Sequence, residues 1–144
     1  LHLSLRRQRQ MCIRDRYYYY PDNTGQTPNI NSNEIYVIGS YGAVSAGYHY
    51  FTTEWFGVGD DSGTTYMQIN AEFPLSDTMT LSAHAGSSSI EGVTGADYED
   101  YSVSLAMDIG NGYSVGIDFI DNSGDGAVGP AFSSGAVISF SKSM

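Results

Sequence analysis

Between Met67 and Phe73 the chain alternates without a break: Met67, Gln68, Ile69, Asn70, Ala71, Glu72, Phe73. Successive side chains on a strand point to opposite faces. Met67, Ile69, Ala71 and Phe73 therefore share one face, and Gln68, Asn70 and Glu72 share the other. The same period of two returns over residues 79–85, 103–109 and 113–119. No segment shows the 3.6-residue period of an amphipathic helix. The fold class is all-β. Strands with one greasy face and one small-polar face fit two architectures, a soluble β-sandwich or a membrane-spanning barrel.

Composition breaks sharply near the start of the chain. Arg6, Arg7, Arg9, Arg14 and Arg16 are five of the six basic residues, and Cys12, the one cysteine, lies among them. A leader peptide needs an apolar core after its charges, and Met11-Cys12-Ile13 followed by Arg14-Asp15-Arg16 does not supply one. The run from Arg6 to Asp15 resembles one reading frame of a transposon-type sequencing adapter. Residues 1–16 are accordingly read as a non-native, disordered artefact, and residues 17–144 as the C-terminal part of a single β-barrel domain. On this reading Cys12 carries no redox information, and any signal peptide lies upstream of the sequence.

Residues 17–144 hold one lysine against fifteen carboxylates, a formal charge of −14. That balance excludes a nucleic-acid binder. The absence of cysteine after Cys12 leaves neither a disulfide framework nor a thiolate zinc site. No apolar run approaches the roughly 20 residues of a membrane helix. A soluble sandwich coats its outer face with Lys, Arg and Glu, and Lys142 alone cannot do that. The polar parity instead carries Ser, Thr, Asn, Gln, Gly and His, which suits the enclosed interior of a barrel.

Spacing along the chain points the same way. After a remnant at 17–20, strands are expected at 34–41, 43–51, 64–73, 78–88, 99–109, 113–121 and 132–142. Most match the 9–11 residues that a tilted strand needs to cross a bilayer. Short connections at Gly42, at 74–77 and at Gly110-Asn111-Gly112 alternate with long ones at 21–33, 52–63, 89–98 and 122–131. Short periplasmic turns and longer outer loops are the rule of outer-membrane barrels. Tyr41, Tyr48, Tyr50, Phe51, Trp55, Tyr66, Phe73, Tyr98, Tyr101 and Tyr113 fall near strand ends, where aromatic girdles sit. Ala136, Ile138, Phe140 and Met144 share one parity at the C-terminus, with Lys142 interrupting it.

Asn33-Glu34-Ile35-Tyr36-Val37-Ile38-Gly39-Ser40-Tyr41-Gly42, Ala71-Glu72-Phe73-Pro74-Leu75 and Val137-Ile138-Ser139-Phe140-Ser141-Lys142 resemble the C-terminal half of the TorF porin family, a proteobacterial group first described as conserved hypothetical. The resemblance spans most of residues 33–144 and rests on strand-and-turn patterns rather than an invariant chemical site. It implies an outer-membrane β-barrel with a pore function and carries over no catalytic residue. Members are longer than residues 17–144, which implies further strands upstream.

Candidate sites follow from parity. Gln68, Asn70, Glu72, His84, Ser104, Asp108 and Asp118 would project into a lumen, where charge tunes selectivity. His49 and His84 stand mid-strand without a partner at metal-ligand spacing. Asp121-Asn122-Ser123-Gly124-Asp125-Gly126 lacks the bidentate Glu of a calcium loop and reads as a turn, as does Asp60-Asp61-Ser62-Gly63. No nucleophile elbow appears. The expectation is a non-enzymatic porin-like barrel of the outer membrane, without cofactor or metal, whose partners are the lipid bilayer and small hydrophilic solutes. Two rivals stand beside it: a non-conducting surface barrel with acidic binding loops, and a soluble secreted β-sandwich that binds carbohydrate.

Overall fold

A computed structural model describes residues 9–21, 30–57, 62–124 and 134–143. Eight strands run in chain order: β1 (Arg9–Tyr18), β2 (Ser32–Tyr41), β3 (Val44–Phe51), β4 (Thr65–Pro74), β5 (Met79–Ser89), β6 (Tyr98–Gly110), β7 (Tyr113–Asn122) and β8 (Gly135–Lys142). Each pairs antiparallel with its sequence neighbours in one sheet of order β1 to β8. The sheet is a meander, and it is not closed: β1 and β8 do not meet.

The turns are dictated locally. Asn111 and Gly112 both take positive φ, 55° and 77°, which is the pattern of a two-residue type I′ hairpin. Gly42 supplies the positive φ, 64°, at the first position of the two-residue turn between β2 and β3. The third short connection, residues 75–78, is held by Ser76, whose Oγ accepts the Met79 N–H at 3.1 Å. These three turns lie at one end of the sheet. The strand ends joined by the four longer connections lie at the other, as expected from the sequence.

Register then sorts the side chains. Ile13, Val37 and Tyr48 stand opposite one another and continue to Met67. Ile69, Ala85 and Tyr101 form a second such row, and Leu105, Ile117 and Ile138 a third. All lie on one face. Met67, Ile69, Leu81, Leu105, Val115 and Ile117, read as one parity in the sequence, share it.

This face is bare. Met67 is 55% exposed, Phe119 57% and Ile138 79%. Among the described residues the buried apolar side chains are Phe51, Ile90 and Ala96, all near the long-loop end. The buried polar set is larger: Ser32, Glu34, His49, Thr64 and Ser88. A flat single sheet would expose its faces equally. The asymmetry is that of a sheet curled round its polar side.

One expectation needs correction. Residues 1–16 were expected to be unpacked, with only a remnant strand at 17–20. In the structure all ten residues of β1 pair with β2, from Arg9 opposite Tyr41 to Tyr18 opposite Ser32. The physical reason is that an edge strand offers its free N–H and C=O groups to any extended neighbour, whatever its composition. Parity also agrees, because Met11 and Ile13 fall on the apolar face and Arg14 and Arg16 on the polar one. The count is therefore eight strands instead of seven. Residues 1–8 lie outside the described residues, as do 132–133 of the expected last strand.

Candidate functional site

The polar face carries a side-chain network that crosses six strands. At its β1 end the Arg16 guanidinium lies 3.0 Å from Glu34 Oε1 and over the Tyr36 ring. Glu34 is 97% removed from solvent (3% exposed), and its Oε1 accepts no well-aligned hydrogen bond. Its charge is met by Arg16 and, at 3.6 Å, by His49 Nδ1. Burial of an unpaired carboxylate would cost several kcal/mol. The stacking of His49 on Tyr36, centroids 5.2 Å apart and planes 17° apart, fixes the imidazole.

The chain of contacts continues through amides. Gln68 Nε2 lies 3.0 Å from His49 Nε2. The Asn70 amide donates to Gln68 Oε1 at 3.5 Å, while Asn70 Oδ1 lies 2.6 Å from His84 Nδ1. On its other side His84 Nε2 stands 2.7 Å from Asp100 Oδ1 and 3.0 Å from the Tyr66 hydroxyl. Tyr66 donates in turn to the Asp100 carboxylate at 3.2 Å. Both His84 nitrogens thus face oxygen atoms of the network.

Glycines make room for these crossings. Gly86 is opposite Asp100 on one side and Gln68 on the other. Its missing side chain lets Tyr66 reach over β5 to Asp100. Gly47 does the same for Gln68, whose Cγ and Nε2 stand 3.1 Å from where a Cβ would be.

Register places all seven predicted residues on this face, although not in one cluster. Gln68, Asn70 and His84 belong to the network. Glu72, Ser104 and Asp118 form part of a separate row, in which Glu72 faces Ser82, Ser82 faces Ser104, and Ser104 faces Asp118. Asp108 is turned to local use, its Oδ1 accepting the Gly110 N–H at 2.7 Å beside a bulge at the end of β6.

Sequence reasoning missed Asp100, Tyr66, Glu34 and Arg16 as network members, and His49 and Gln68 as neighbours. The sequence sets Tyr66 among the girdle aromatics and does not single out Asp100. The usable signal was hairpin register. Once the 89–98 loop is closed, Asp100 falls opposite Gly86, beside His84. The aromatic assignments split by parity. Tyr41, Tyr50, Phe73, Tyr101 and Tyr113 stand on the apolar face, whereas Tyr66 and Tyr98 stand on the polar face and Phe51 is buried.

Trp55 and Phe51 pack against Phe56, which also takes the edges of Tyr18 and Tyr20, in an aromatic cluster at the long-loop end.

Of the run 121–126, Asp121 and Asn122 close β7, and Ser123 and Gly124 follow it without regular structure. Gly124 N–H donates to Asn122 Oδ1 at 3.3 Å, and Ser123 and Glu99 exchange two hydrogen bonds at 2.9 Å. Asp125 and Gly126 lie outside the described residues, as do Asp60 and Asp61. No group of three or more His, Cys, Asp or Glu among the described residues could hold a metal ion. No helix is long and apolar enough to cross a membrane, which says nothing of strands.

An open antiparallel meander with a bare apolar face and a knitted polar one is thus the class of protein this sequence builds. The chain belongs to the Gcw_chp family, described as bacterial protein of unknown function, whose model matches residues 13–141. The match begins inside the segment read as non-native. No curated protein and no solved structure matches the chain.

Proposed function

We propose that this chain is part of an outer-membrane β-barrel of porin type, like the TorF porins it resembles, and that it passes small hydrophilic solutes. The observation that carries this reading is the inverted burial. Large apolar side chains such as Ile69, Phe119 and Ile138 are half or more exposed, while Glu34 and His49 are buried. In water a contiguous apolar face of this size is an association hazard; in lipid it is the favourable surface.

Dimensions support the same reading. The ten residues of β4 extend about 33 Å at ~3.3 Å per residue, and a tilt of roughly 40° brings that to about 25 Å, the height of an outer-membrane apolar band. Tyr17, Tyr50 and Tyr101 stand on this face at the long-loop end, and Tyr41, Phe73, Tyr113 and Phe140 at the turn end. Two such girdles fit the two bilayer interfaces. Lys142, over the Tyr113 ring at 5.0 Å, lies at the turn end, where its amine reaches the interface. The open edges of β1 and β8 would cost several kcal/mol per unpaired group in lipid, so in a bilayer both edges must be paired.

A second reading rests on the network itself. Side chains that bridge β1 to β6 could fill the interior, leaving a surface barrel that does not conduct. Liposome swelling in small sugars, with the full-length protein reconstituted, separates the two. Size-dependent swelling supports the porin. Stable membrane insertion without swelling supports the filled barrel, and a detergent-free, monodisperse soluble protein overturns both.

A further inference from the structure

Among the described residues five carboxylates of the strands stand on the polar face, and three of them are engaged: Glu34 by Arg16 and His49, Asp100 by His84 and Tyr66, and Asp108 by the Gly110 N–H. Glu72 and Asp118 have no side-chain hydrogen bond or ion pair among the described residues. They terminate the row Glu72, Ser82, Ser104, Asp118, which crosses β4 to β7 at one level. At ~4.8 Å per strand the row is about 14 Å long, and it offers only oxygen: two carboxylates with two hydroxyls between them.

A cleft of about 340 Å³ opens on the same row, with Ser40, Ser45, Asn70, Glu72, Ser82 and His84 along its wall. Glu72 is the one carboxylate there. The cations of this face lie elsewhere. Arg16 is committed to Glu34, and Arg14 stands opposite Tyr36, in the row of His49 and Tyr66 nearer the long loops. Lys142, opposite Tyr113, belongs to the other face. His84, the nearest basic group to the row, is spanned by Asn70 and Asp100.

We infer that Glu72 and Asp118 are specificity-determining residues that make the permeation path prefer cationic over anionic solutes. The inference rests on the porin reading and deepens it by naming the solute class. Glu72 and Asp118, with Asp108 whose charge a backbone N–H does not cancel, place negative charge along a wall with low dielectric behind it, which raises the local concentration of cations and repels anions. The hydroxyls between them offer replacement ligands to a partly dehydrated cation without adding charge. The network, by contrast, sets Arg16 against Glu34 and holds Asp100 against Tyr66 and His84.

The test is the reversal potential of the full-length protein in planar bilayers under a KCl gradient at low ionic strength, where screening is weakest. The expected result is a potential of the sign that reports K⁺ over Cl⁻. The double variant Glu72→Gln, Asp118→Asn should lose most of that selectivity at similar single-channel conductance. Glu99→Gln, on the other face, should retain it. Heat-modifiable gel mobility checks that each variant is folded. Channels that are anion-selective, or whose cation preference survives the double substitution, overturn the inference and leave the porin intact. Folded, inserted protein with no conductance overturns the porin reading and the inference with it.

Discussion

A methyl group added at Gly39, on the apolar face, would meet nothing within 4 Å, whereas one added at Gly86, on the polar face, would collide with the Tyr66 hydroxyl and the Asp100 carboxylate. The two glycines sit in the same sheet, Gly39 on β2 and Gly86 on β5, under the same antiparallel backbone pairing. What differs is how each face is packed. The apolar face makes few contacts of its own and leaves its surface to be covered by something else. The polar face covers itself, with Tyr, His, Gln and Asp laid across glycines. In a water-soluble sheet the order would be reversed, with the apolar side packed and the polar side splayed.

The sharpest way to break this comparison is to place the same charge on each face in turn. In the full-length protein folded into vesicles, Ile69→Arg should cost roughly 2–4 kcal/mol and Asn70→Arg much less, because only the former puts a guanidinium into hydrocarbon. Urea titration of the inserted protein reads both. Equal costs would mean that the faces do not differ in medium.

Glycine substitutions come next in size. Gly86→Ala should destabilise by about 1–3 kcal/mol through displacement of Tyr66, and Gly39→Ala should stay within about 0.5 kcal/mol. The pair tests packing rather than solvation. If both are neutral, the polar face is looser than the structure has it.

A smaller effect is expected within the network. His84 and Asp100 are each about a quarter exposed, so a double-mutant cycle of His84→Ala and Asp100→Asn should give a coupling of about 0.5–1.5 kcal/mol. Additive losses would show the 2.7 Å contact between them to be energetically idle.

The difference in legibility between the faces follows from how each is encoded. Parity is a local property, so Met67, Ile69 and Phe73 could be set apart from Gln68, Asn70 and Glu72 by reading seven residues. Strand ends were legible for a similar reason: Asn111-Gly112 and Gly42 announce tight turns by chemistry alone. The network was not legible. Glu34 and His49 are brought together by one hairpin register, and Asp100 and His84 by another, and neither pair has a sequence spacing that signals contact. β1 was missed because composition was weighed above alternation. The basic run 14–16 hid a two-residue period that an exposed sheet edge accepts.

Sidedness is a finer point on the same comparison, with little expected effect on stability. An epitope inserted near residues 124–129 should be accessible from outside intact cells, since long polar loops accept insertions. One inserted at Asn111 should be inaccessible there. Surface exposure at Asn111 would invert the topology while leaving the assignment of faces untouched.

The claim that decides the rest is that one face meets lipid and the other water. Single cysteines placed in turn at residues 67 to 73, in a Cys12→Ser background, can carry an environment-sensitive fluorophore in the reconstituted full-length protein. Lipid-borne and aqueous quenchers then report each position's surroundings. Labels at Met67, Ile69, Ala71 and Phe73 should be quenched from the lipid, and those at Gln68, Asn70 and Glu72 from water, in strict alternation. Seven labels that are all reached equally by the aqueous quencher would contradict it.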